Sequence, residues 1–182
     1  MTVVLPARAT VTGAVARLLI IEARNPGRTK TYKADKSKQS MQWMVVVLNN
    51  RLNNNPGQFM APGATTLIDI IKAPGQFAGF GNYPNYDPDI IDTIQAILDI
   101  ANAKKDSRAP AYQEFVQNAL DVAAAAPIAD PSIAAHPGSI GLAAWRTENS
   151  GTPGGNYSLS DTVAGNDFYY LNPPKAPKPR QR

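Results

Sequence analysis

Cysteine is absent from the chain, which excludes disulfides, thiol nucleophiles and thiolate metal sites. His136 is the only histidine, so no multi-histidine zinc centre can be built within one chain. It stands beside Pro137 in a loop, with no acid–histidine–serine arrangement around it. Gly151-Thr152-Pro153-Gly154-Gly155 lacks the lysine and the helix context of a phosphate loop. No apolar run approaches the roughly 20 residues that span a bilayer, so no membrane insertion is expected. The longest candidate, VTGAVARLLIIEA, is interrupted by Arg17 and closed by Glu22. Only Arg8 precedes it as a basic lead, and no clear cleavage site follows. It reads as a helix of the mature fold rather than an export signal.

What remains is a chain of 182 residues with 43% hydrophobic content, enough for one sizeable core in one domain over 1–171. Its net charge of +4 favours anionic partners such as nucleic acid, acidic headgroups or acidic wall polymers, or simply serves solubility. The cations concentrate in Arg28, Lys30, Lys33, Lys36 and Lys38. Such a run is a solvated loop or the flank of a site that meets an anionic substrate. Beyond Tyr32 no aromatic is interleaved with it and no recognition motif appears, so nucleic acid is not the expected partner.

The apolar periodicity predicts mostly helix, in an α+β arrangement that is mainly α. Thr10 or Thr12 caps a first helix in which Ala14, Leu18 and Ile21 form one row and Val15, Leu19 and Glu22 the next. Apolar residues nearly encircle this segment, which marks it as central and buried. Asn25-Pro26-Gly27 ends it. A second helix is expected from about Lys38 to Leu52, and a short one over Leu67–Lys72 capped by Thr65 or Thr66. Two more are expected from Asp87-Pro88-Asp89 to about Lys104 and from about Pro110 to Ala126. Gln58 to Thr66 reads as loop. So does Gly79 to Tyr86, whose aromatics are either sugar platforms beside a cleft or a packed surface loop. Beyond Pro127, Leu142–Arg146 and Phe168–Leu171 are short enough to be strands that pair with each other. Residues 172–182, rich in proline and basic groups, are expected to be a disordered tail.

Glu22 carries the most chemistry. It ends an almost wholly apolar helix. Burial disfavours its charged form, and the partial negative charge of the helix C-terminus pushes the same way. A carboxylic acid that keeps its proton near neutrality suits leaving-group protonation in glycosidic bond cleavage. The bland alternative is that Glu22 merely pairs with a core arginine such as Arg51.

These segments, taken in order, resemble the SleB-type cell-wall hydrolases, the spore cortex-lytic enzymes and their relatives. That family's A-R-x-I-x-x-E-A-R run, which holds its catalytic glutamate, is similar to Ala16-Arg17-Leu18-Leu19-Ile20-Ile21-Glu22-Ala23-Arg24. Its V-x-x-N-R-V helix end is similar to Val47-Leu48-Asn49-Asn50-Arg51-Leu52, and its Q-F step to Gln76-Phe77. Its D-P-T and alanine-aromatic strand correspond to Asp130-Pro131-Ser132 and Ala143-Ala144-Trp145. Its closing strand corresponds to Gly165-Asn166-Asp167-Phe168-Tyr169-Tyr170. Where the family carries a second acid soon after the glutamate, this chain has Asn25-Pro26-Gly27 and a longer lysine-rich loop. The family's closing histidine gives way to Asn166-Asp167.

The resemblance implies a lysozyme-like domain that cuts the β-1,4 bond between N-acetylmuramic acid and N-acetylglucosamine, as muramidase or lytic transglycosylase. It implies Glu22 as the catalytic acid and peptidoglycan strands as the partner, without metal or cofactor. Gln76, Asn50, Tyr169 and Asp167 are the expected substrate-binding residues. Asp167, Asp69 and Asp87 are the acids weighed as a second carboxylate. Action in the periplasm or wall calls for delivery by a secretion system or release by lysis, and an antibacterial toxin would have an immunity protein. A non-catalytic wall- or protein-binding module is the alternative.

Overall fold

The computed structural model describes residues 2–28 and 31–173. Lys30 of the basic run, and positions 174–182 of the expected tail, lie outside the described residues. The described chain is mixed α+β and mainly helical. Its elements run α1 (Val11–Glu22), α2 (Ala34–Asn53), a 3-10 turn (Pro56–Phe59), α3 (Leu67–Lys72), α4 (Pro88–Asn102), α5 (Ala109–Ala124), α6 (Pro131–Ala135), β1 (Leu142–Thr147), β2 (Tyr157–Val163) and β3 (Asn166–Leu171).

The α1 helix forms the middle of the molecule. Thr10 caps it by accepting from the Gly13 N–H, and every residue from Gly13 to Ile20 is buried. It packs on α5, α3 and α4. This is the environment an all-round apolar helix requires. Its one buried cation is held by hydrogen bonds: Arg17 donates to the Pro6 and Gly13 carbonyls and to the Tyr86 hydroxyl. Burial of side chains such as Leu18, Leu19 and Ile20 stabilises the fold by about 1.5–3 kcal/mol each.

The α2 helix begins at Ala34, four residues before the expected start near Lys38. The lysine-rich stretch is therefore partly helical. Asp35 in the first turn complements the helix dipole, and the buried Ser37 hydroxyl donates to the Arg24 carbonyl, tying this turn to the end of α1. The apolar face of α2 meets α5 on one side and α3 and the sheet on the other.

The three strands form an antiparallel sheet in the order β1-β3-β2. The expected pairing of β1 with β3 is present, with Trp145 opposite Phe168. The second partner of β3, Tyr157–Val163, gave no clear signal. Its burial pattern is mostly half-exposed, so there is little apolar alternation to read. Phe168 meets Trp43 of α2 edge to face at 5.2 Å, which fixes the sheet on the helical layer. The Gly79 to Tyr86 loop is not a surface platform. Phe80, Tyr83 and Tyr86 are buried and mutually stacked, because their rings close one end of the core. Asn172 belongs to the sheet rather than the tail: its N–H donates to the Asn156 carbonyl, and its side chain to that carbonyl and the Ser158 hydroxyl.

Candidate active site

Glu22 is the last residue of α1 and is half-buried. Trp145 Nε1 of β1 donates to its Oε2 at 3.2 Å. The indole stacks on Phe77, with ring centroids 5.2 Å apart. The Arg51 guanidinium, from the last turn of α2, lies 5.4 Å from the Phe59 ring, 5.7 Å from Phe77 and 5.8 Å from Trp145. Its Nε donates to the Ala143 carbonyl at 2.8 Å and its Nη1 to Gln76 Oε1 at 2.6 Å. Elements distant in sequence thus converge on one acid: the end of α1, the end of α2, the 3-10 turn, the segment after α3, and β1.

Opposing effects set the charge of Glu22. Burial raises its pKa, while the Trp145 hydrogen bond and the charges of Arg28 and Arg51 pull it down. Burial wins, and the acid holds its proton to higher pH than an ordinary glutamate. Arg51 is nearly enclosed, and burial lowers its pKa to about 10; Tyr157 and Glu22 oppose that shift. It therefore stays charged at neutral pH. It is not a direct ion-pair partner that consumes Glu22, since its hydrogen bonds go to Ala143 and Gln76.

Gln76 is brought to the site through its bond with Arg51. Arg51 occupies its carbonyl oxygen and leaves its NH2 as the donating end. Asn50 faces another task. Its Nδ2 donates to Asp130 Oδ2 at 2.6 Å and to the Leu142 carbonyl at 2.9 Å. Asp130 also accepts from the Leu142 N–H and from Ser132. A Cβ at Gly141, whose φ is +89°, would collide with Asp130 and Asn50, so only glycine fits there. This knot pins the start of β1, and hence Trp145. Asn50→Ala is expected to lower unfolding free energy by about 1–3 kcal/mol, because it orphans buried acceptors. The measurement is urea denaturation. Specific activity per folded molecule should change far less than it does in Glu22→Gln.

Asp167 and Tyr169 flank Phe168 on β3 and therefore point to the sheet face opposite Trp43. Asp167 accepts from the Asn149 N–H and the Thr162 hydroxyl. The Tyr169 hydroxyl donates to the Gly151 carbonyl, and burial together with Asp167 raises its pKa. The two residues hold the β1–β2 connection and are not brought together with Glu22.

Trp145 bonds Glu22 directly, Arg51 acts on it through its charge, and Phe77, beside Gln76 in sequence, supports both by its ring. Asn50 turns to Asp130 while Arg51 turns to the rings, and alternation along a single segment does not disclose which of two neighbours does so. Phe59 and Tyr157 carried no signal, as one sits in a segment read as loop and the other on the unforeseen strand.

No family model matches this chain, and neither a curated protein nor a solved structure matches it.

Trp145→Phe keeps the stacking on Phe77 and removes the N–H that favours the carboxylate. The Glu22 pKa is expected to rise further, readable from the side-chain carboxyl shift in an NMR pH titration. A fall or no movement would show that the indole bond does not bear on the proton.

Proposed function

We propose that the protein is a peptidoglycan-cleaving glycosidase with a lysozyme-like architecture, and that Glu22 is its proton donor. One observation carries this reading. A half-buried carboxyl with a raised pKa is oriented by an indole N–H and stands in the field of a fixed guanidinium. Before reaction the apolar surroundings favour the protonated form. As the proton moves to the glycosidic oxygen, a negative charge develops on Glu22 where the indole N–H and Arg51 already favour it.

The same group can complete a lytic transglycosylation alone. Glu22 protonates the bridging oxygen, and the bond from that oxygen to C1 of the muramic acid unit breaks. The 6-hydroxyl oxygen of that unit then attacks C1 and returns its proton to Glu22, closing an anhydro ring. Hydrolysis would instead call for a second carboxylate roughly 5–9.5 Å away. Asp69 is tied into the Thr66 capping box and Asp167 is bonded on the far face of the sheet, while Asp87 stands at the N-cap of α4 without a capping bond. The commitments of Asp69 and Asp167 favour transglycosylase over muramidase.

The site of action is the wall or periplasm, reached by a secretion system or by lysis. Among the described residues no helix is long and apolar enough to cross a membrane. A delivered toxin of this kind would be matched by an immunity protein.

Mass spectrometry of material released from purified sacculi is the direct test. Anhydro-muropeptides are expected, and reducing ends would reassign the mechanism to hydrolysis. Sacculi that retain the protein but release nothing would make it a non-catalytic wall-binding module.

A further inference from the structure

A cavity of about 310 Å³ shares two residues, Phe59 and Tyr157, with the surroundings of Arg51. Phe59, over which Arg51 lies, forms part of its wall, and so does Tyr157, whose hydroxyl feels the Arg51 charge. Gln58, Asn156 and Asn172 supply amides, and Ile140 closes an apolar side. Among the described residues no charged side chain lines it. Burial raises the Tyr157 pKa, so the phenol is neutral as well.

The cavity is built rather than incidental. Asn172 fixes the Asn156 backbone through two donors and leaves its own Oδ1 as an acceptor. Among the described residues the side-chain amides of Gln58 and Asn156 bond to nothing within the chain, so both are available to a ligand.

Rings with neutral amides suit one class of ligand. An aromatic face covers the C–H side of a pyranose, and amides exchange hydrogen bonds with hydroxyl and acetamido groups. A carboxylate-bearing stem peptide would gain no counter-charge here. We infer that this cavity is a subsite for a neutral N-acetylated hexose unit, held along the glycan from the reacting bond. The inference rests on the glycosidase reading and gives that site a direction: the neutral sugar lies towards Phe59 and Tyr157.

The test uses the full chain carrying Glu22→Gln, to prevent turnover, titrated with the β-1,4-linked trimer of N-acetylglucosamine and followed by NMR. Saturable shifts are expected at Tyr157 and at the side-chain amides of Gln58 and Asn156. Maltotriose, which lacks acetamido groups, should produce none. Adding Tyr157→Ala or Asn156→Ala should weaken binding by about tenfold or more. Asn156 is exposed, so its variant tests the cavity even if the tyrosine variant folds poorly. Absence of saturable shifts at the cavity overturns the inference, as does unchanged affinity in Asn156→Ala. The failures are separable. Muropeptide release by the wild-type chain without trimer in the cavity removes the subsite and leaves Glu22 its role. Trimer in the cavity without muropeptide release removes cleavage and leaves a sugar-binding protein.

Discussion

Glu22→Gln is expected to slow the release of soluble fragments from sacculi by about a hundredfold to ten-thousandfold, the usual contribution of a positioned general acid. The amide retains the size of the side chain and can still accept from the Trp145 N–H, but it has no proton to give. The same substitution should stabilise the fold above a definite pH. The folded carboxyl holds its proton above the ordinary value of 4.5. As pH rises past that value the unfolded chain gives up a proton that the folded chain keeps, so wild-type stability falls until the folded pKa is passed. Glu22→Gln lacks this loss. Urea denaturation below pH 4 and near pH 8 should show little difference between the proteins at the acid end and a more stable variant at the other. A variant that cleaves as well as wild type ends the catalytic assignment. Equal stability at both pH values would mean that burial does not strain the carboxylate.

That trade explains which parts of the molecule could be read in the chain itself. The α1 helix was legible because an all-apolar surface ending in Glu22 has few folded solutions, and its cap at Thr10 is local chemistry. Leu67–Lys72 was legible for the same reason, since Thr66 and Asp69 satisfy each other across one turn. The start of α2 was not, because its first turn is polar and gains its place from the remote carbonyl of Arg24. Tyr157–Val163 was invisible because its pairing energy comes from β3 rather than from its own pattern. The site divided along the same line. Glu22 stands out from its helix alone, as the acid that ends an apolar run. Arg51 and Trp145 acquire their meaning only when the end of α2 and the start of β1 meet, and that meeting is enforced by Asp130, Asn50 and the left-handed Gly141.

Arg51→Met is the second large perturbation, and its effects run in opposite directions. The apolar side chain still packs between Phe59, Phe77 and Trp145, and it removes the desolvation of a buried guanidinium. Against this, the Ala143 carbonyl and Gln76 Oε1 lose their donor, at about 1–3 kcal/mol for each acceptor left buried. The net stability change should therefore be modest, while the change in chemistry is large. Without the cation the Glu22 pKa rises further. The alkaline limb of the cleavage profile should move to higher pH, since the acid stays loaded longer. The rate at the optimum should drop by about a hundredfold, because the carboxylate formed in the transition state has lost its fixed positive neighbour. Arg51→Lys should recover the position of the limb better than the rate, as an ammonium keeps the charge but not the flat contact with the rings. If Arg51 acts through Glu22, adding Arg51→Met to Glu22→Gln costs almost nothing more. A double variant that loses the full product of the separate effects would place Arg51 directly on the sugar. An alkaline limb that stays where it was would remove Arg51 from the control of that proton altogether.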